Sequence, residues 1–96
     1  MYVAVLITRP EKASLRETFK PAHDAYWDTR MDKIRLAGPM LSDDGSTRIG
    51  QIIILNVADR AAASDIVMND PFVTNGLFGD ITINRYRISV EGGVAL

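Results

Sequence analysis

The first apolar run, Tyr2 to Thr8, is built from β-branched, aromatic and aliphatic residues and stops at Arg9-Pro10, where proline cannot continue a ladder, so it predicts a strand. From Glu11 the period changes. Leu15, Phe19, Ala22 and Tyr26 recur at steps of four, three and four, which lines one face of a helix expected to run to about Asp32. Pro21 lies inside that pattern with no N–H to give, so a kink or a fresh helix start is expected there. Ile34 to Met40 reads as a short second strand interrupted by Gly38-Pro39, and Ser42 to Ser46 as an exposed turn. A third strand covers Gly50 to Val57. Asp59 then offers its carboxylate as N-cap to a second helix, which ends near Asn69 because Pro71 pushes the residue before it out of the α region. A turn through Phe72 to Gly79 leads to a last strand, Asp80 to Val90, and Gly92-Gly93 marks a loose tail.

The order β-α-β-β-α-β is that of the ferredoxin-like plan, an α+β fold in which a four-stranded sheet carries both helices on one face. Strand one sets Val3, Val5 and Ile7 on one side and Ala4 and Leu6 on the other; strand three sets Ile52 and Ile54 against Ile53, Leu55 and Val57. Both strands are apolar on both faces, and in this plan they are the central pair. A sheet covered on one face only should alternate apolar with polar. A chain of 96 residues has no spare element to cover the second face. A second copy packed sheet against sheet, in a two-fold homodimer, is therefore expected.

Length and composition then narrow the class. One domain spanning residues 1–96 is the only sensible division, and a chain 47% hydrophobic and 24% charged has the make-up of a folded globule. The net charge is −1 with basic residues scattered, which leaves no footprint for nucleic acid or an anionic membrane. There is no cysteine, which excludes disulfides, thiolate nucleophiles and Cys-ligated metal. The apolar runs Val3 to Ile7 and Ile52 to Leu55 are far short of the ~20 residues that cross a bilayer, so a cytoplasmic location is expected.

The candidate chemistry centres on the single histidine. His23 is the only side chain that titrates near neutrality without help, which suits proton transfer. Lys20 at i−3 and Trp27 at i+4 share its helical stripe, offering a cation for an anionic substrate and an apolar wall. Asp70, followed by Pro71, suits a helix N-cap; it is also the carboxylate that could orient an imidazole, and spacing alone does not choose between the two. Asp43, Asp44 and Gly45 lack the remaining ligands of a calcium loop, so a plain turn and no metal are expected. Arg85 and Arg87 fall on one face of the last strand, where charge commonly protects a sheet edge.

Lys20-Pro21-Ala22-His23, Leu36-Ala37-Gly38-Pro39-Met40 and Asn69-Asp70-Pro71-Phe72-Val73, followed by Gly76 and Asp80, resemble the YciI-like (YCII-related) family from the first strand to Tyr86. The resemblance implies a dimeric α/β barrel related to the ferredoxin fold, with His23 and Asp70 as an active-site dyad and Lys20 where the family usually carries Arg. It also implies small cyclic or aromatic substrates and no protein-bound metal or nucleotide, since one branch of the family resembles a dehydrochlorinase of a chlorinated hydroxyhydroquinone. The expectation is thus a lyase- or isomerase-type enzyme without a cofactor. In it His23 moves the proton, Asp70 orients it, Lys20 attracts an anionic group, and Trp27 or Phe72 shapes the pocket. The competing expectations are a dimeric module that binds a small metabolite without converting it, and an accessory protein whose dyad is vestigial.

Overall fold

In the computed structural model, which describes Met1–Leu96, four long strands and three helices alternate along the chain. β1 (Tyr2–Thr8), β2 (Ile34–Leu41), β3 (Arg48–Leu55) and β4 (Phe78–Arg85) form one sheet in the order β2-β3-β1-β4. Every neighbouring pair is antiparallel. α1 (Leu15–Asp28), α2 (Arg60–Met68) and the single turn α3 (Pro71–Thr74) supply the helical layer. No helix is long and apolar enough to cross a membrane.

The pleat decides where the core lies. Ala4 and Leu6 of β1 pair with Ile53 and Gln51 of β3, and their side chains share one face of the sheet. That face meets Trp27 of α1, Ala63, Ile66 and Val67 of α2, and Phe72 of α3 in a single buried cluster. Leu15, Phe19 and Tyr26 pack against its edge as the helical period predicts, whereas Ala22 stays exposed. On the opposite face Val3 pairs with Ile54 and Val5 with Ile52. Ile54 is only 7% exposed yet stands outside the cluster, and Ile7 and Leu36 beside it are 42% and 48% exposed.

Five expectations are corrected. α1 ends at Asp28, and a 3₁₀ turn over Met31–Lys33 follows, so the helix does not reach Asp32. It runs through Pro21 without a break, which leaves one carbonyl of the preceding turn without its usual donor. β2 is continuous through Gly38-Pro39, because it is an edge strand and the nitrogen that proline cannot offer is not required by a second neighbour. β4 stops at Arg85 rather than Val90: Arg85 pairs with Tyr2 and the Tyr86 N–H donates to the Met1 carbonyl, the last contacts it makes with β1. The tail beyond it folds into a two-stranded hairpin, β5 (Val90–Glu91) with β6 (Val94–Ala95), which Glu91 ties to Arg35 of β2.

Candidate active site

Asp70 is the fixed point of the site. Its place before Pro71, whose locked φ suits a first helical position, makes it the N-cap of α3, and Oδ1 accepts the Phe72 N–H at 2.9 Å. The same carboxylate reaches across to α1. Oδ2 accepts the Trp27 Nε1–H at 2.9 Å, and Oδ1 lies 2.8 Å from His23 Nδ1. His23 and Trp27 are i and i+4, so one helical stripe presents both rings to one carboxylate. Asp70 is 2% exposed, so its carboxylate is shielded from solvent.

The rings are held from several sides. Phe72, 1% exposed, stacks on the imidazole with centroids 3.9 Å apart and planes 14° from parallel. The Arg16 guanidinium lies 5.0 Å from the same phenyl centroid. Tyr26 meets the Trp27 indole edge-on and donates its hydroxyl to the Ile66 carbonyl at 2.6 Å, which pins α1 to α2; burial pushes that phenol up from its ordinary pKa. With the Asp70 oxygens accepting from every other neighbour, Nδ1 is the donor to the carboxylate, and Nε2 makes no hydrogen bond.

A cavity of about 180 Å³ opens between α1 and the β2–β3 edge, lined by His23, Trp27, Met31, Ala37, Gln51 and Ile53. A larger hollow of about 360 Å³ lies between the C-terminal ends of α1 and α2. It contains no imidazole; the histidine lines the smaller cavity.

Of the residues singled out in the sequence, His23, Asp70, Trp27 and Phe72 come together; Lys20 does not join them. Its ammonium, exposed, is bound to Asp24 at 2.6 Å, one helical turn on, and this bond holds the Asp24 carboxyl below the ordinary carboxylate range. Phe72 acts as a backing for the imidazole rather than as a wall of the cavity. Two residues escaped sequence reasoning. Gln51 is the one polar side chain in the run Gly50 to Leu55, an anomaly visible in the sequence, and it lines the cavity. Arg16 stands two helical turns before His23 on the same face, a spacing that could have marked it. No cluster of three or more His, Asp or Glu side chains gathers anywhere in the chain to hold a metal.

The solved structure of 5-chloro-2-hydroxyhydroquinone dehydrochlorinase from Burkholderia phenoliruptrix, in complex with 2,5-dihydroxybenzoquinone, superposes with a TM-score of 0.77 at 27% identity, covering 91% of this chain and 94% of that one. A Mycobacterium tuberculosis protein, Rv0793, covers 95% of both chains at 16% identity with a TM-score of 0.49. No curated protein matches the chain in sequence. The profile of the YCII-related domain matches residues 1–87, and the chain belongs to that family.

Proposed function

We propose that this protein is a small-molecule enzyme of the lyase or isomerase type in which His23 is the acid/base group and Asp70 holds and polarises it. The observation that carries this reading is the 2.8 Å contact between His23 Nδ1 and a buried, capped carboxylate, with Nε2 unbonded on a residue that lines a cavity. Such a pair fixes the tautomer and holds the ring so that Nε2 is the nitrogen left to exchange a proton. An elimination or isomerisation needs little more: Nε2 removes a proton from an acidic O–H or C–H and the electron pair moves into the ring or expels the leaving group as an anion; the imidazolium then gives the proton to another ring atom in an isomerisation, or to solvent in an elimination.

The cavity limits the substrate. A hollow of ~150 Å³ holds one benzene ring, so about 180 Å³ suits a single substituted ring. A structural neighbour that is a dehydrochlorinase of a chlorinated hydroxyhydroquinone agrees with a ring of that size and with loss of a leaving group. Lys20 lies outside the residues that line this cavity, paired at the surface with Asp24. We infer further that the sheet order belongs to a ferredoxin-like protomer and that two copies close sheet against sheet into a dimeric α/β barrel. The apolar outer faces of β1 and β3 support this.

The test uses a panel of hydroxylated and chlorinated hydroquinones, followed by absorbance and by chloride release. His23→Ala is expected to keep its far-UV circular dichroism and lose turnover by about two to four orders of magnitude. Undiminished turnover in that variant, or rings bound tightly and recovered unchanged from the wild type, would overturn the catalytic reading.

A further inference from the structure

A second polar site lies at the other end of α1, and nothing in the acid/base reading uses it. Arg16, in the first turn of α1, and Arg48, the first residue of β3, line one hollow of about 310 Å³ together with Thr8, Ala13, Ser46 and Thr47. Neither arginine forms an ion pair or donates a side-chain hydrogen bond; the four ion pairs of the chain are made by other residues. Arg16 Nη2 and Thr8 Oγ1 are both buried without a hydrogen-bond partner, and no other side-chain atoms of the protein share that condition. Thr8 is 8% exposed, on the helix-facing side of β1.

This arrangement is costly in the protein alone. A buried donor with no acceptor forfeits its bond to water. Two guanidinium groups that feel one another repel, and a cation in the first turn of a helix opposes the macrodipole. Burial and then the Arg48 charge press the Arg16 pKa down, with Asp70 opposing them. The carboxylates in the neighbourhood are occupied: Asp70 takes three donors, and Asp44 binds the Ser42 and Ser46 hydroxyls at 2.7 and 2.8 Å. One kind of ligand answers all of these unmet demands at once.

We propose that Arg16, Arg48 and Thr8 form an oxyanion-binding site, taking a phosphate or carboxylate group of a small metabolite. A planar guanidinium pairs with two oxygens of such a group, a second supplies charge, and the Thr8 hydroxyl donates to a third position. The site is joined to the acid/base pair by the Phe72 ring, which touches Arg16 and His23 alike. It does not depend on proton transfer by His23, and it supplies anion recognition from buried groups, where Lys20 lies exposed on α1.

Inorganic phosphate and acetate, each titrated at constant ionic strength against sodium chloride, test this by NMR. At least one of the two oxyanions is expected to shift the Thr8 amide and the Arg16 and Arg48 Nε–H signals saturably, while chloride does not; whichever saturates first identifies the head group. Arg48→Gln is expected to weaken binding about tenfold or more, as loss of a charge-assisted bond should. Thr8→Val separates recognition from structure: it removes an unpartnered hydroxyl at constant shape, so its Tm should rise, by about 4 °C, while its oxyanion response weakens. Equal shifts from chloride, an unchanged titration in Arg48→Gln, or a Thr8→Val variant that is less stable than the wild type would overturn the assignment.

Discussion

A carboxylate offers about four lone-pair sites, and Asp70 uses three of them for donors from two different helices. The sequence posed a choice between an N-cap and a partner for His23, and the structure makes both contacts through one side chain. The choice was false because the cap takes one lone pair of Oδ1 and leaves the rest. It follows that Asp70→Asn fails in a particular way. With its oxygen kept on the Phe72 N–H, the amide turns its NH₂ to the indole N–H, and two donors oppose each other in a buried place. A loss of about 2 kcal/mol in stability, measured by urea unfolding, should accompany a fall in turnover of about two to four orders of magnitude. A variant with wild-type stability and activity would remove Asp70 from the site. Asp44 gives a simpler residue-scale prediction. The Ser42 hydroxyl, then the Ser46 N–H and hydroxyl, bind its charged form and lower its pKa from 3.8 to about 2. A depressed carboxyl contributes stability above its unfolded value and loses it as pH falls through the folded one, so the β2–β3 turn should hold at pH 4 and loosen near pH 2. A carboxyl ¹³C titration should show the low midpoint, and Ser42→Ala should raise it; a midpoint near 4 in the wild type would contradict the geometry.

Elements were legible where a local rule sufficed. Asp59 caps α2 by accepting the Ala62 N–H at 2.8 Å, as its place before the helix foretells, and β1 spans the residues its composition marks. Boundaries that depend on a distant partner were not legible. Pro39 looked like an interruption because nothing in the sequence says that β2 borders solvent, and β4 looked set to end five residues later because nothing says that its partner strand begins at Tyr2. The cavity was hidden for the same reason, since it needs α1 laid beside an edge strand. Gly50 belongs to this class. A Cβ there would stand 2.6 Å from the Leu6 carbonyl oxygen and overlap the Met40 methyl, and the carbonyl cannot withdraw because the β1–β3 ladder fixes it. Gly50→Ala should therefore cost about 2 kcal/mol and lower the Tm by about 10 °C. Trimming Met40 to Ala in the same chain should not restore the loss, because the backbone contact remains; full recovery would mean that only the methionine was in the way.

The molecule as a whole has one face too apolar for its neighbours. Helices cover the side of the sheet that holds Ala4, Leu6, Ile53 and Leu55, but Val3, Val5, Ile52 and Ile54 form a second apolar layer, with Ile7 and Leu36 exposed beside it. Aliphatic area of this kind is worth ~25 cal/mol per Å² when removed from water, and sheets pack face to face at ~10 Å. A two-fold axis through the face would set Val5 of one protomer near its counterpart, so one substitution acts twice. Val5→Lys would then place two ammonium groups in a dry interface, at a cost of several kcal/mol, more than a standard-sized contact can absorb without dissociating at micromolar concentration. Light scattering on the wild type should give twice the 10.6 kDa protomer mass, and on Val5→Lys the protomer mass, with the near-UV signal of Trp27 retained because that side chain is buried on the helical side. A wild type that runs as a protomer at tens of micromolar would leave this face uncovered and end the barrel, while the contacts around Asp70, all made within one chain, would stand.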